Sequence, residues 1–94
     1  MDLAGWPAVR YICPVCGYDD LPEPPFTDGL PSYGICPCCG FEFGFDDLAE
    51  GHTYEAYRNA WIHKGMPWFR PENKPAGWDS VVQLSRVTDL PNAL

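Results

Sequence analysis

Cations are scarce in this chain: six Lys and Arg stand against 13 Asp and Glu, for a formal charge of −7. No basic run occurs anywhere. Phosphate backbones are repelled by such a surface unless the few cations cluster, which disfavours nucleic acid as a partner. An anionic membrane surface is disfavoured for the same reason. No segment approaches the roughly 18 consecutive apolar residues of a membrane span. The start Met1-Asp2-Leu3-Ala4-Gly5-Trp6-Pro7 has no basic stretch followed by an apolar one, so no secretion signal is expected and the chain reads as cytoplasmic. There is no Ser/His/Asp arrangement, glycine-rich phosphate loop or HExxH, so no catalytic residue is expected.

The chain does have apolar, aromatic and turn-forming residues. Hydrophobic residues make up 46% and aromatics 15%, enough for a core in one small domain. Eleven prolines and nine glycines predict many turns and few long regular elements. A domain of this size gains from a staple such as a metal or disulfides. There are five cysteines. In a reducing compartment, paired cysteines point to metal rather than disulfides.

All five lie in one stretch with a rough internal repeat. Tyr11-Ile12-Cys13-Pro14-Val15-Cys16-Gly17-Tyr18 aligns with Gly34-Ile35-Cys36-Pro37-Cys38-Cys39-Gly40-Phe41. Two residues between cysteines let both sulfurs reach one ion around a tight turn whose amides can face the thiolates. Proline presets φ in that turn, and the following glycine suits a left-handed position. With 19 residues between Cys16 and Cys36, the spacing is that of a four-thiolate zinc site. Cys13, Cys16, Cys36 and Cys39 are the expected ligands. Zinc is the expected metal and iron the alternative, since four thiolates hold either. Cys38 could compete as a ligand, but only Cys39 keeps both the two-residue gap and the following glycine. The expectation for Cys38 is a small residue on the outer side of its turn rather than a reactive thiol.

The rest of the chain reads as follows. Short strands are expected around each cysteine turn, with Glu42-Phe43-Gly44-Phe45 alternating at period two. Leu21 to Pro31 is expected to be a loop, because its four prolines break a ladder. A helix should start at Thr53 as N-cap and carry Tyr54, Tyr57 and Trp61 on one face. It should end near Gly65 and Pro67. A short helix over Ser80 to Val87, with N-cap Asp79 and apolar Val81, Val82 and Leu84, competes with a strand starting at Val81. His52 and His63 are expected to serve capping and dipole roles. Asp46, Asp47 and Glu50 read as a solvated turn, lacking calcium-loop spacing. Trp61, Trp68, Phe69 and Trp78, with Tyr54 and Tyr57, read as core rather than a groove for a partner.

The cysteine repeat resembles the two turns of rubredoxins, where Cys-x-x-Cys-Gly-Tyr and Cys-Pro-x-Cys-Gly hold one iron. Residues 13–45 also resemble a small bacterial family named for its cysteine-rich CPCC motif. The matching text is Tyr11-x-Cys13-Pro14-x-Cys16-Gly17-Tyr18, Leu21-x-Glu23-Pro24-Pro25 and Ser32-Tyr33-x-Ile35-Cys36-Pro37-x-Cys39. That resemblance implies zinc binding without a settled activity. The expected fold is small α+β: a zinc-ribbon or rubredoxin-like knuckle pair over 11–45, with a helical, Trp-rich part over 46–94 packed on it as a single domain 1–94. The expected role is a non-catalytic interaction module with a protein partner, a basic one being compatible with the charge. Rubredoxin-like electron transfer is the alternative, and a nucleic-acid-binding ribbon stands third.

Overall fold

A computed structural model describes residues 10–88. The lead containing Trp6 and Pro7 lies outside these residues. The architecture is small α+β. A two-stranded antiparallel hairpin joins β1 (Phe26–Thr27) and β2 (Leu30–Pro31). A π-helical turn (Phe45–Ala49), helix α1 (Tyr54–His63), a 3-10 turn (Pro71–Asn73) and helix α2 (Ser80–Thr88) follow. No helix among the described residues is long and apolar enough to cross a membrane.

The hairpin corrects the expected loop over Leu21 to Pro31. Asp28 and Gly29 have φ of 53° and 81°, the left-handed pair that a two-residue hairpin turn requires. Phe26 pairs with Pro31 and Thr27 with Leu30. Proline ends the ladder here rather than preventing it, because it sits at the last paired position. Around the cysteine turns, the expected strands shrink to single bridges, Tyr11 to Leu21 and Ile35 to Glu42. The alternation after Phe41 stops at Gly44, whose φ of 102° turns the chain into the π-helical segment. Phe41 and Phe43 are buried while Phe45 is exposed.

Helix α1 follows its end signals. Thr53 Oγ1 accepts from the Ala56 amide at 3.0 Å. At the other end the Met66 amide donates to the Trp61 carbonyl and the Gly65 amide to the Ile62 carbonyl, both at 2.9 Å. That pair of bonds is a Schellman closure, with Gly65 at φ 94°. Helix α2 starts as expected on Asp79, whose Oδ1 accepts from the Val81 and Val82 amides. Of the apolar residues expected on it, Val81, Val82 and Leu84, only Leu84 packs against the core. Val81 and Val82 are exposed, and the buried residue is Gln83.

The core gathers the cysteines, Val15, Tyr18, Leu21, Phe41, Phe43, Trp61 and Trp68. Phe41 meets Tyr54 and Tyr57 of α1 edge-on, and Trp68 meets Tyr18 and Trp78 in the same way. Edge-to-face contact is the favoured geometry for such rings. The aromatic set is therefore mainly core. Phe69 is the exception, half-exposed over Gly40.

Candidate metal centre

The two cysteine turns repeat each other in backbone detail. The Gly17 amide donates to the Cys13 carbonyl, and the Gly40 amide to the Cys36 carbonyl, both at 2.9 Å. The Cys13 amide closes onto the Tyr18 carbonyl, and the Cys36 amide onto the Phe41 carbonyl. Gly17 and Gly40 have φ of 86° and 85°. Each glycine lets the chain double back immediately after its second cysteine.

The turns face each other crosswise. Cys13 Sγ lies 3.9 Å from Cys39 Sγ, and Cys16 Sγ lies 3.7 Å from Cys36 Sγ. All four sulfurs lie within 4.8 Å of one another and are buried, so they could hold a metal ion. Sulfurs about 2.3 Å from a tetrahedral ion lie about 3.8 Å apart, so the donor set fits such an ion. The Val15 amide points at Cys13 Sγ at 3.4 Å, the amide-to-sulfur contact that stabilises thiolate charge.

Crowding strongly perturbs three of these thiols. Hydrogen bonds from Cys13, then Cys16 and Cys39, push Cys36 far below the ordinary thiol range. Cys16 is pushed far up, first by its hydrogen bond with Cys13, and burial adds to this. Cys39 is also pushed up, again with Cys13 as the largest cause. Charge on Cys36 is thus favoured, and charge on Cys16 and Cys39 is opposed. A divalent cation removes that opposition and deprotonates its ligands.

Donors from residues 46–88 take the carbonyls of both turns. In the first turn, Arg58 Nε donates to the Val15 carbonyl at 2.6 Å and Nη2 to the Pro14 carbonyl at 3.1 Å. Gln83 Nε2 donates to the Cys16 carbonyl at 3.1 Å, and Arg86 Nη1 to the Gly17 carbonyl at 2.9 Å. In the second turn, the Arg70 amide holds the Pro37 carbonyl, the Phe69 amide the Cys38 carbonyl, and the Tyr57 hydroxyl the Cys39 carbonyl. Unpaired carbonyls at this depth would each be costly. Arg58, Gln83 and Arg86 carry no sequence motif. The one available signal was Gln83, a polar residue beside Leu84 on a helix otherwise rich in valine.

Cys38 stands apart from the four-sulfur group, as its neighbours in sequence suggest. It does not lie on an outer surface, however. It is fully buried beneath α2, and its sulfur accepts from Gln83 Nε2 at 3.2 Å. His52 and His63 are exposed and outside the cluster. His52 packs on Tyr57, and His63 ends α1. Asp46 and Asp47 use carboxylate oxygens as caps for the Glu42, Gly44 and Leu48 amides.

No protein-family model matches the chain, and no solved structure matches it. Two proteins of Bacillus subtilis strain 168 do. YoaQ is 36% identical over 80 residues, covering 69% of this chain and 68% of that protein. YozI is 35% identical over 81 residues, covering 69% of this chain and 67% of that protein. Both are described as uncharacterised proteins.

Proposed function

The chain belongs to the family of the Bacillus subtilis proteins YoaQ and YozI, and on that premise we propose that it is a zinc-stapled, non-catalytic module that binds a protein partner. Cys13, Cys16, Cys36 and Cys39 hold the zinc. The two turns over 11–45 then act as a zinc-ribbon or rubredoxin-like knuckle pair, in keeping with the CPCC resemblance of residues 13–45. The formal charge of −7 is compatible with a basic partner, and the setting is cytoplasmic. A zinc ion bound there supplies a cross-link and charge neutralisation, and no reaction passes through it.

One observation carries this reading: the candidate ligands are buried, and side chains or amides from the second half of the chain take the carbonyls on both turns. A metal under such cover joins the halves of the molecule. An electron-transfer centre instead needs an edge within reach of its redox partner. Nucleic acid fits less well. Five of the six cations are engaged within the chain, by Asp20, the first turn, Phe69, Trp78 and Asp19.

Metal analysis of protein expressed in its native host tests the proposal. The expected result is one zinc per chain. A red, iron-loaded protein that is reversibly reduced would replace the staple with electron transfer.

A further inference from the structure

A cavity of about 280 Å³ opens between the end of the first cysteine turn and helix α2. Three aromatic residues line it: Tyr18, Trp68 and Trp78. Trp68 meets Tyr18 at 83° and Trp78 at 81°, with ring centroids 5.7 Å and 5.4 Å apart. Two rings in edge contact at right angles enclose a corner with a face of each. Tyr18 and Trp68 are buried, and Trp78 packs against the same core. Packing thus fixes the corner in advance, and small-molecule sites are mostly apolar and preformed in this way.

Packing alone does not account for an indole at Trp68. The indole N–H of Trp61 donates to the Pro67 carbonyl, and that of Trp78 to Gln83 Oε1, both at 2.8 Å. Trp68 Nε1 is buried without a hydrogen-bond partner. A stranded buried donor costs about 1–3 kcal/mol, and phenylalanine would bury a ring there without that cost. Beyond what phenylalanine supplies, the indole offers the ring face with the strongest attraction for a cation. Trp78 already shows that attraction, with the Lys74 ammonium 5.3 Å from its ring centroid. Lys74 itself does not line the cavity. The charged residues that do are Asp19, Asp79 and Arg86. Arg86 is already engaged, Nη2 with Asp19 and Nη1 with the Gly17 carbonyl. Asp79 caps α2 through Oδ1 and forms no ion pair among the described residues.

We propose that the cavity walled by Tyr18, Trp68 and Trp78 binds the methylated ammonium group of a small quaternary amine of the choline class. The ring faces attract the charge, and the Asp79 carboxylate adds a counter-charge in the lining. A bare ammonium fits less well. It is strongly hydrated, and its N–H donors go unsatisfied against aromatic walls. Methyl groups remove those donors and spread the charge over an apolar surface. An anion would meet two carboxylates and a guanidinium that is already bonded. This site goes beyond the protein-binding reading above and does not depend on it.

The test is an NMR titration of the full metal-loaded chain with choline and with dimethylbutanol, the uncharged analogue that has carbon in place of nitrogen. Choline should shift the indole N–H signals of Trp68 and Trp78 saturably, and the analogue should bind about tenfold or more weakly. Trp68→Phe should weaken choline about threefold or more while thermal stability holds or rises, because the stranded donor is gone. Asp79→Asn keeps an N-cap acceptor and should weaken choline without weakening the analogue. Equal binding of choline and the analogue would overturn the cation site. A fall in the stability of Trp68→Phe with its preference for choline unchanged would make Trp68 purely structural and overturn the role given to its ring. No saturable shift, or shifts centred away from Tyr18, Trp68 and Trp78, would overturn the site itself. Each of these outcomes leaves the zinc-stapled, protein-binding reading where it stands.

Discussion

The buried amide of Gln83 donates to the sulfur of Cys38 at 3.2 Å, across 45 residues of sequence. The same nitrogen reaches the Cys16 carbonyl, and Gln83 Oε1 accepts from Trp78 Nε1 at 2.8 Å. One side chain thus ties α2 to both cysteine turns and to a tryptophan. Replacing it by leucine strands the Trp78 donor and the Cys16 acceptor. We expect Gln83→Leu to cost about 1–3 kcal/mol, as stranded buried polar groups do. Denaturant unfolding should show that loss while the metal content stays at its original value.

Three glycines with positive φ separate strain from collision. A methyl on Gly17 runs into the backbone carbonyl of Gln83, which moves only if α2 moves. A methyl on Gly40 meets Phe69 at 3.2 Å, a half-exposed ring that can swing away. A methyl on Gly51 meets nothing within 4 Å. All three alanine variants carry the left-handed penalty of about 1–2 kcal/mol. Gly17→Ala should therefore be the most damaging, and hydrogen exchange in α2 should rise in that variant alone.

Stability should fall in alkali. Burial pushes the Tyr57 phenol up to about 12 from an ordinary value of 10.0, with the Asp46 charge adding to it. The protonated phenol is therefore favoured in the folded state. That contribution is complete below about pH 10 and is lost as pH rises to about 12. Tyr18 and Tyr54 shift in the same direction, also mainly through burial. Circular dichroism across an alkaline titration should show the transition, and Tyr57→Phe should reduce its steepness.

Signals made by neighbouring residues were legible in the sequence. Thr53, Gly65 and Asp79 act on amides and carbonyls within a turn of themselves, so their roles need no tertiary context. The cysteine spacing likewise foretold which four sulfurs come together. Asp28-Gly29 is an equally local hairpin signal, but it stands among four prolines that by themselves read as a loop. The inward face of α2 was not legible. Valine is the better core residue by hydropathy, yet the surface beneath α2 offers a carbonyl, a sulfur and an indole N–H, which only an amide can match. The same holds for Arg58 and Arg86. Their acceptors are backbone carbonyls more than 40 residues away, which carry no residue-type signature.

On the proposed zinc staple, removing metal should unfold the cysteine turns, because structural zinc contributes about 10–16 kcal/mol of apparent binding free energy in small peptides. A chelator should broaden the NMR signals of Val15, Phe41 and Phe43 together, since all three lie in one core with the four cysteines. Loss confined to the exposed hairpin would contradict a shared staple.

Metal stoichiometry in two serine variants tests the central claim most directly. Cys39 belongs to the four-sulfur group, while the neighbouring Cys38 faces Gln83. Cys39→Ser should lose the bound metal and the cooperative fold. Cys38→Ser should keep one metal per chain, because a serine hydroxyl can also accept from Gln83. Metal retained in Cys39→Ser and lost in Cys38→Ser would contradict the account.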